Sequence, residues 1–340
     1  MNSKVTIKDL AEAAGVSVTT VSQILNGKGA RFSKKTQEKV ITLRDQLHYV
    51  PDFNARNLIL RSSRTIGVLV PNIGNPFFST FFRGIQKVCR QAHYLPIVFS
   101  ASNDETSEKY YLGNLVERSV DGLIISSSSV TADTIDSILK PNHIPYLLFD
   151  RNQTHDDGDR LQVDDYQGGQ LAAEHLIKLG HQRMVAVFPE NLTNNLEKRL
   201  HGFTDELKKA GIHFNPKTDI VNAPLTKLGG YEHADEVLSK KATAVFCAND
   251  ELAIGLYRGL HEHGIKIPEE LSVMGYDNID LAEYVTPKLT TIEQPILKLG
   301  ETSAQLILKR INDLNMERQL VDVPVKLVER ESTARPHSYN

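Results

Sequence analysis

The chain has 340 residues, 40% of them apolar and 24% charged, which fits an ordinary soluble globular protein with more than one core. No apolar run is long enough to span a bilayer, and the two cysteines, Cys89 and Cys247, form neither a CxxC nor a zinc-type spacing, so a membrane span, a disulfide framework and a zinc site are not expected. The net charge of −3 hides an asymmetry: residues 1–62 carry ten Lys and Arg against five acids, a net of +5 that leaves −8 on the remainder, as in a head that meets a polyanion or in a plain solvated bias.

The opening "MNSKVTIKDLAEAAG" is amphipathic and carries acids, unlike a signal peptide, so a cytoplasmic protein is expected. Thr6, with Asp9 three residues on, predicts a capped helix whose inner face is Ile7, Leu10, Ala11 and Ala14 and which stops at Gly15. Ser17 caps a second helix with Val21, Ile24 and Leu25 inward, and Ser33 a third with Val40, Leu43 and Leu47 inward. The three-residue connection Gly15-Val16-Ser17 has the length of the turn in a helix-turn-helix. The second helix is rich in β-branched residues, which are poor helix formers. Short side chains at Val18, Thr19 and Thr20 would let its axis approach DNA bases, and Gln23 one turn on can pair with adenine. A plain three-helix bundle is the alternative.

"VTIKDLAEAAGVSVTTVSQILNG" resembles the DNA-binding head of the lac-repressor family of bacterial transcription regulators, and "LHYVPDFNARNLILRSSRTIGVLVPN" resembles that family's linker and first core strand. The resemblance runs over essentially the whole chain. It implies a helix-turn-helix domain over 1–48 and a hinge helix or linker over 49–62. Val18, Thr19 and Gln23 would read the major groove, Ser17, Thr20, Ser22 and Asn26 would contact phosphates or bases, and Thr6 and Tyr49 complete this set. Ala55 and Leu58 match the family's hinge positions, Leu58 being the apolar wedge that kinks the operator centre. Without the family, Leu58 reads as a linker leucine packed on the core. Gln23 stands where members often carry Arg or His, which leaves the operator bases open.

From Thr65 the chain alternates short apolar strands ("TIGVLVP", "LPIVFS", "DGLIISS", "PYLLFD", "MVAVF", "TDIVNA", "AVFCAND", "LSVMGYD") with helical stretches. This predicts an α/β core, residues 63–340, of two doubly wound parallel-sheet lobes behind an all-α head. Ligands of such sheets sit at the strands' carboxyl ends. There the sequence places Asn75, Phe77 and Phe78, then Asp150 and Arg151, Asn249 and Asp250, and Asp277, with Gln294 after "TTIEQP" and Arg199 at a helix start. Carboxylates, guanidinium groups and amides beside an aromatic pair suit a small polyol. Singly, Asp250 and Asp277 could only cap helices, and the phenylalanines could be core.

The core resembles a periplasmic sugar-binding protein, which implies three crossovers between lobes, near Val163, Thr291 and Val325. The N-lobe would then comprise about 63–163 and 292–325, and the C-lobe about 164–291 and 326–340. Asn75, Phe77, Phe78, Asp150, Arg151, Arg199, Asn249, Asp277 and Gln294 match pentose-contacting positions of periplasmic ribose-binding proteins, although the stretch around Leu225 lacks an expected aromatic.

No Walker A, GxGxxG or GxSxG motif occurs, and the two histidines of "HEH" at 261–263 do not share a helix face. No catalytic residue, cofactor or metal is expected. The reading is a homodimeric repressor of a sugar-utilisation operon, bound to double-stranded operator DNA and released by a small sugar, ribose. The last residues hold no leucine heptads that would tether a tetramer. The alternatives are a regulator of the same fold tightened by a corepressor, a purine or a phosphorylated carrier protein, and a sugar-binding receptor with no DNA role.

Overall fold

The computed structural model describes residues 5–51, 62–101, 104–127, 130–150 and 158–336. The chain divides into two compact units, Met1–Ser63 and Arg64–Asn340.

The first unit is helical: α1 (Ile7–Ala14), α2 (Val18–Leu25), a 3-10 turn (Gly29–Arg31) and α3 (Lys34–Gln46). The local signals in the sequence are made as bonds. The Thr6 hydroxyl accepts from the Asp9 amide, and the Asp9 carboxylate accepts from the Thr6 amide at 2.7 Å. Gly15 takes φ 68° and closes α1, a conformation that costs a residue with a Cβ. Ser17 and Ser33 cap α2 and α3 by accepting the Thr20 and Thr36 amides. Leu10, Ala11, Ala14, Val21, Ile24, Val40 and Tyr49 form the core of this unit. The β-branched α2 survives because Val21 and Ile24 face that core while Val18 stays 40% exposed.

The second unit contains two six-stranded sheets among the described residues. The first holds β1 (Thr65–Val70), β2 (Leu95–Ser100), β3 (Gly122–Ile125), β4 (Tyr146–Phe149), β5 (Asp159–Val163) and β11 (Leu320–Val323), in the order β11-β5-β4-β3-β1-β2. The second holds β6 (Met184–Phe188), β7 (Ile220–Asn222), β8 (Ala244–Cys247), β9 (Ser272–Asp277), β10 (Thr290–Glu293) and β12 (Lys326–Val328), in the order β12-β10-β9-β8-β6-β7. The central strands β1, β3, β4, β6, β8 and β9 are buried along their whole length, so both faces of each sheet are covered.

The chain passes between sheets after β5, after β10 and after β11. The first two passages lead into helices, Asp165–Leu179 and Ile296–Asn312. The third has only Pro324 and Val325 between strands, and β12 pairs antiparallel with β10 where every other pair is parallel. A chain leaving the carboxyl end of one sheet and entering the other directly must run against its strands. Strands β5, β11 and β12 fall outside the sequence expectation: "DRLQV" carries charge, and the other two are four and three residues long with exposed positions. Among the described residues no helix is long and apolar enough to cross a membrane.

Candidate functional site

The strand carboxyl ends of both sheets open on one cavity of about 380 Å³. From the first sheet, Pro71 and Asn72 follow β1, Ser126 and Ser127 follow β3, and Phe149 and Asp150 end β4. Asn75 caps the helix Pro76–Gln91 by accepting the Phe77 amide at 2.8 Å, and so sets Phe77 and Phe78 at the cavity wall. From the second sheet come Thr193, Asn195, Leu196 and Arg199 around the start of the helix Asn194–Lys209, then Leu225 and Thr226 after β7. Ala248 and Asn249 follow β8, Asp277 ends β9 and Gln294 follows β10.

Of the ten residues singled out in the sequence, eight therefore line one cavity: Asn75, Phe77, Phe78, Asp150, Arg199, Asn249, Asp277 and Gln294. Arg151 lies outside the described residues. Asp250 does not line the cavity. Its carboxylate accepts from the Thr291 hydroxyl at 2.6 Å and the Ile279 amide at 2.8 Å, a structural role for which Gly275 leaves the room. Asn249 combines both roles, since it also caps the helix Asp250–Glu262 through the Leu252 amide at 2.9 Å.

The cavity is held by buried polar contacts. Arg199 is 3% exposed, donates to Asp165 and to the Ala248 carbonyl, and lies 3.3 Å from the centre of the Tyr276 ring. Gln294 donates to Asp277 at 2.7 Å, while its own amide oxygen is buried without a partner. A buried orphan acceptor is costly and suits a hydroxyl donor from a ligand. Burial, then the neighbouring Asp165 charge, pushes the Asp150 carboxyl up to about 8. Burial also raises Asp277 well above the usual carboxylate range, Arg199 working against it. Phe77 and Phe78 meet edge to face, 79° apart with centroids at 5.1 Å, so they cannot form the two sides of a parallel slot.

Asn72, Ser126, Ser127, Phe149, Thr193, Asn195 and Thr226 were not singled out in the sequence. The strand-end rule that found Asp150 would have reached Asn72 and Ser126, which directly follow recognised strands. Asp165 had no local signal, because its partner Arg199 is 34 residues away.

In the head, the outward side of α2 presents Ser17, Val18 and Thr19, all exposed, with Thr20, Ser22, Gln23 and Asn26 half-buried. Ser17 and Thr20 share a hydroxyl contact of 2.9 Å, and Asn26 donates to Ser22 at 3.3 Å. The Gln23 side-chain oxygen has no partner. Thr6 is engaged in its cap, and the Tyr49 ring is in the core. Lys8, Lys28, Arg31, Lys34, Lys35 and Lys39 are exposed, and Arg44 pairs with Asp45 at 2.7 Å. Ala55 and Leu58 lie outside the described residues.

Residues 6–52 match the model for bacterial regulatory proteins of the lacI family, and residues 173–333 match a periplasmic binding protein-like domain. The HTH-type transcriptional repressor PurR of Photobacterium profundum is 35% identical over 96% of this chain and 98% of its own length. A LacI family transcriptional regulator from Enterococcus faecium, solved with bound ribose, is 44% identical, with a TM-score of 0.76 over 80% of this chain and 100% of that one. The lac repressor dimer bound to operator and the anti-inducer ONPF is 28% identical, with a TM-score of 0.85 over 97% of this chain and 99% of that one.

Proposed function

The chain belongs to the lacI family of bacterial regulatory proteins and is a DNA-binding transcriptional repressor, not an enzyme; from that premise we propose that it represses a sugar-utilisation operon as a homodimer and that ribose releases it. The observation that carries the effector assignment is the cavity itself. Acceptors on Asp150, Asp277 and Gln294 and donors on Arg199 and the amides surround a small volume beside the Phe77–Phe78 pair. A pentose offers hydroxyls around its edge and C–H faces above and below, which is the complement of that lining. The relative solved with ribose, at 44% identity, supports the same ligand.

In this reading Val18, Thr19 and Gln23 contact base edges, while Ser17, Thr20, Ser22, Asn26, Thr6 and Tyr49 contact the backbone or bases. Ala55 and Leu58 belong to a hinge at the operator centre. Asp150, Arg151, Arg199, Asn249, Asp277, Gln294 and Asn75 hold the sugar hydroxyls. By linkage, ribose and operator weaken each other by the same factor, typically about 1–3 kcal/mol of coupling.

The curated relatives named PurR favour a second reading, a purine that tightens operator binding. The edge-to-face phenylalanines speak against it, because a flat base is best held in a parallel slot. Calorimetry with ribose, guanine and hypoxanthine, followed by operator titration with each, separates the two. Ribose is expected to bind and weaken the operator complex. Purine binding with a tightened complex, or no response to ribose, overturns the assignment.

A further inference from the structure

We propose that Asn278, which is not part of the cavity lining, is a positioning residue that holds Asp277 in its ligand-facing conformation; the inference rests on the sugar reading above. Asp277 ends β9 at φ 112°, and Asn278 follows at φ 59°. Two successive L-residues at positive φ are unusual, and 112° lies outside even the small left-handed well, so the turn persists only if its surroundings fix it.

The bonds that fix it come from the end of β10 and from the segment after β12. Glu293 stands opposite Asp277 in the β9–β10 register, and its carboxylate accepts from the Asn278 side-chain amide at 2.7 Å. The Asn278 side-chain oxygen, Oδ1, accepts from Arg330 at 2.7 Å. Arg330 is itself anchored, donating to the Leu289 carbonyl at 2.7 Å and reaching Glu283 at 3.3 Å. Lys326, on β12, pairs with the other Glu293 oxygen at 3.0 Å. Gln294, next to Glu293, donates to the Asp277 carboxylate at 2.7 Å. Thus two neighbouring residues of β10 and its exit grip two neighbouring residues of the strained turn. The Asn278 amide uses both its donor and its acceptor to bridge β10 to the residues after β12. Asn also tolerates left-handed backbone better than other residues with a Cβ, which fits it to this position.

The test measures ribose binding calorimetrically and the thermal midpoint in parallel, with the full chain. Asn278→Gly removes the clamp at a position whose left-handed backbone glycine adopts freely, so it still folds, with a midpoint lowered by the lost bonds to Glu293 and Arg330, while weakening ribose about tenfold or more. A merely structural asparagine would leave ribose affinity untouched in that variant. Asn278→Asp sets a carboxylate against Glu293 and also weakens ribose. Adding Glu293→Gln restores a donor to the new acceptor and brings affinity back to within about threefold. Ribose affinity unchanged in Asn278→Gly, or no recovery in the double variant, overturns the proposal. If the unchanged protein binds no ribose, it is the effector assignment that falls.

Discussion

Arg199 donates twice to a single oxygen of Asp165, at 3.1 and 2.7 Å, and both side chains are buried, 3% and 2% exposed. The pair joins the start of the first helix after β5 to the start of the helix after β6. Removing one member of a buried pair leaves the other charge uncompensated, at a cost of about 3–5 kcal/mol. Arg199→Ala is therefore expected to lose ribose binding and also to lower the stability read from urea unfolding by that amount. Urea unfolding and calorimetry check both effects. An Arg199→Ala protein as stable as the parent would show that the pair contributes no net stability.

The buried acids predict a stability that falls as pH rises from about 4 and levels off above about 8. Asp150 is pushed up to about 8 by burial and then by Asp165, and Asp250 up to about 7 by burial, against about 3.9 in an unfolded chain. The native state thus keeps protons that the unfolded chain has released, so this contribution is complete at low pH and is lost as pH rises through 7 and 8. His175 and His181, depressed by burial, are neutral in the native state above about pH 6.5 and oppose this trend only below it. Between about pH 6.5 and about pH 8.5, the ligand-free urea midpoint is expected to fall, and Asp150→Asn to flatten the fall. A rising midpoint, or an unchanged slope in the variant, contradicts the account.

Two kinds of feature were legible in the sequence, and two were not. Caps at Thr6, Ser17 and Ser33 and the stop at Gly15 are written within three or four residues, so local chemistry suffices to find them. Asp150, Asn249 and Asp277 were found because apolar strands announce themselves and ligands gather at their carboxyl ends. Asp165 and Asn278 escaped, since their importance depends on partners 34 and 52 residues away that only the packed fold brings close. The antiparallel β12 escaped too, because three residues carry no periodicity.

For the head, Gln23 offers the sharpest test. Its amide oxygen is buried without a partner in the free protein, and it lies one turn beyond the exposed Val18 and Thr19. If the side chain pairs with a base, Gln23→Ala should lose about 1–3 kcal/mol of discrimination at one base pair in each half-site while binding random DNA as before. Competition binding against a panel of single-base operator variants reads this directly. An equal loss on random DNA would place Gln23 at the phosphates.

Two helix glycines should respond to alanine with opposite sign. Gly169 lies on the helix Asp165–Leu179, where a Cβ would strike the Arg199 carbonyl and the Phe203 amide, backbone atoms that cannot swing aside. Gly202 makes the reciprocal approach to Tyr166. These contacts let the two helices come close enough for Asp165 to reach Arg199, so Gly169→Ala pushes apart the elements that set the guanidinium. Overpacking of this kind costs about 1–3 kcal/mol, and ribose affinity should fall with it. Gly113, in the helix Glu105–Glu117, has nothing within 4 Å of where its Cβ would stand and a right-handed backbone. Gly113→Ala should therefore stabilise by about 0.5–1 kcal/mol, through the entropy of the unfolded chain alone, and leave ribose affinity as it was. Equal effects at the two positions would mean that the close helix approach does not set the geometry of the cavity.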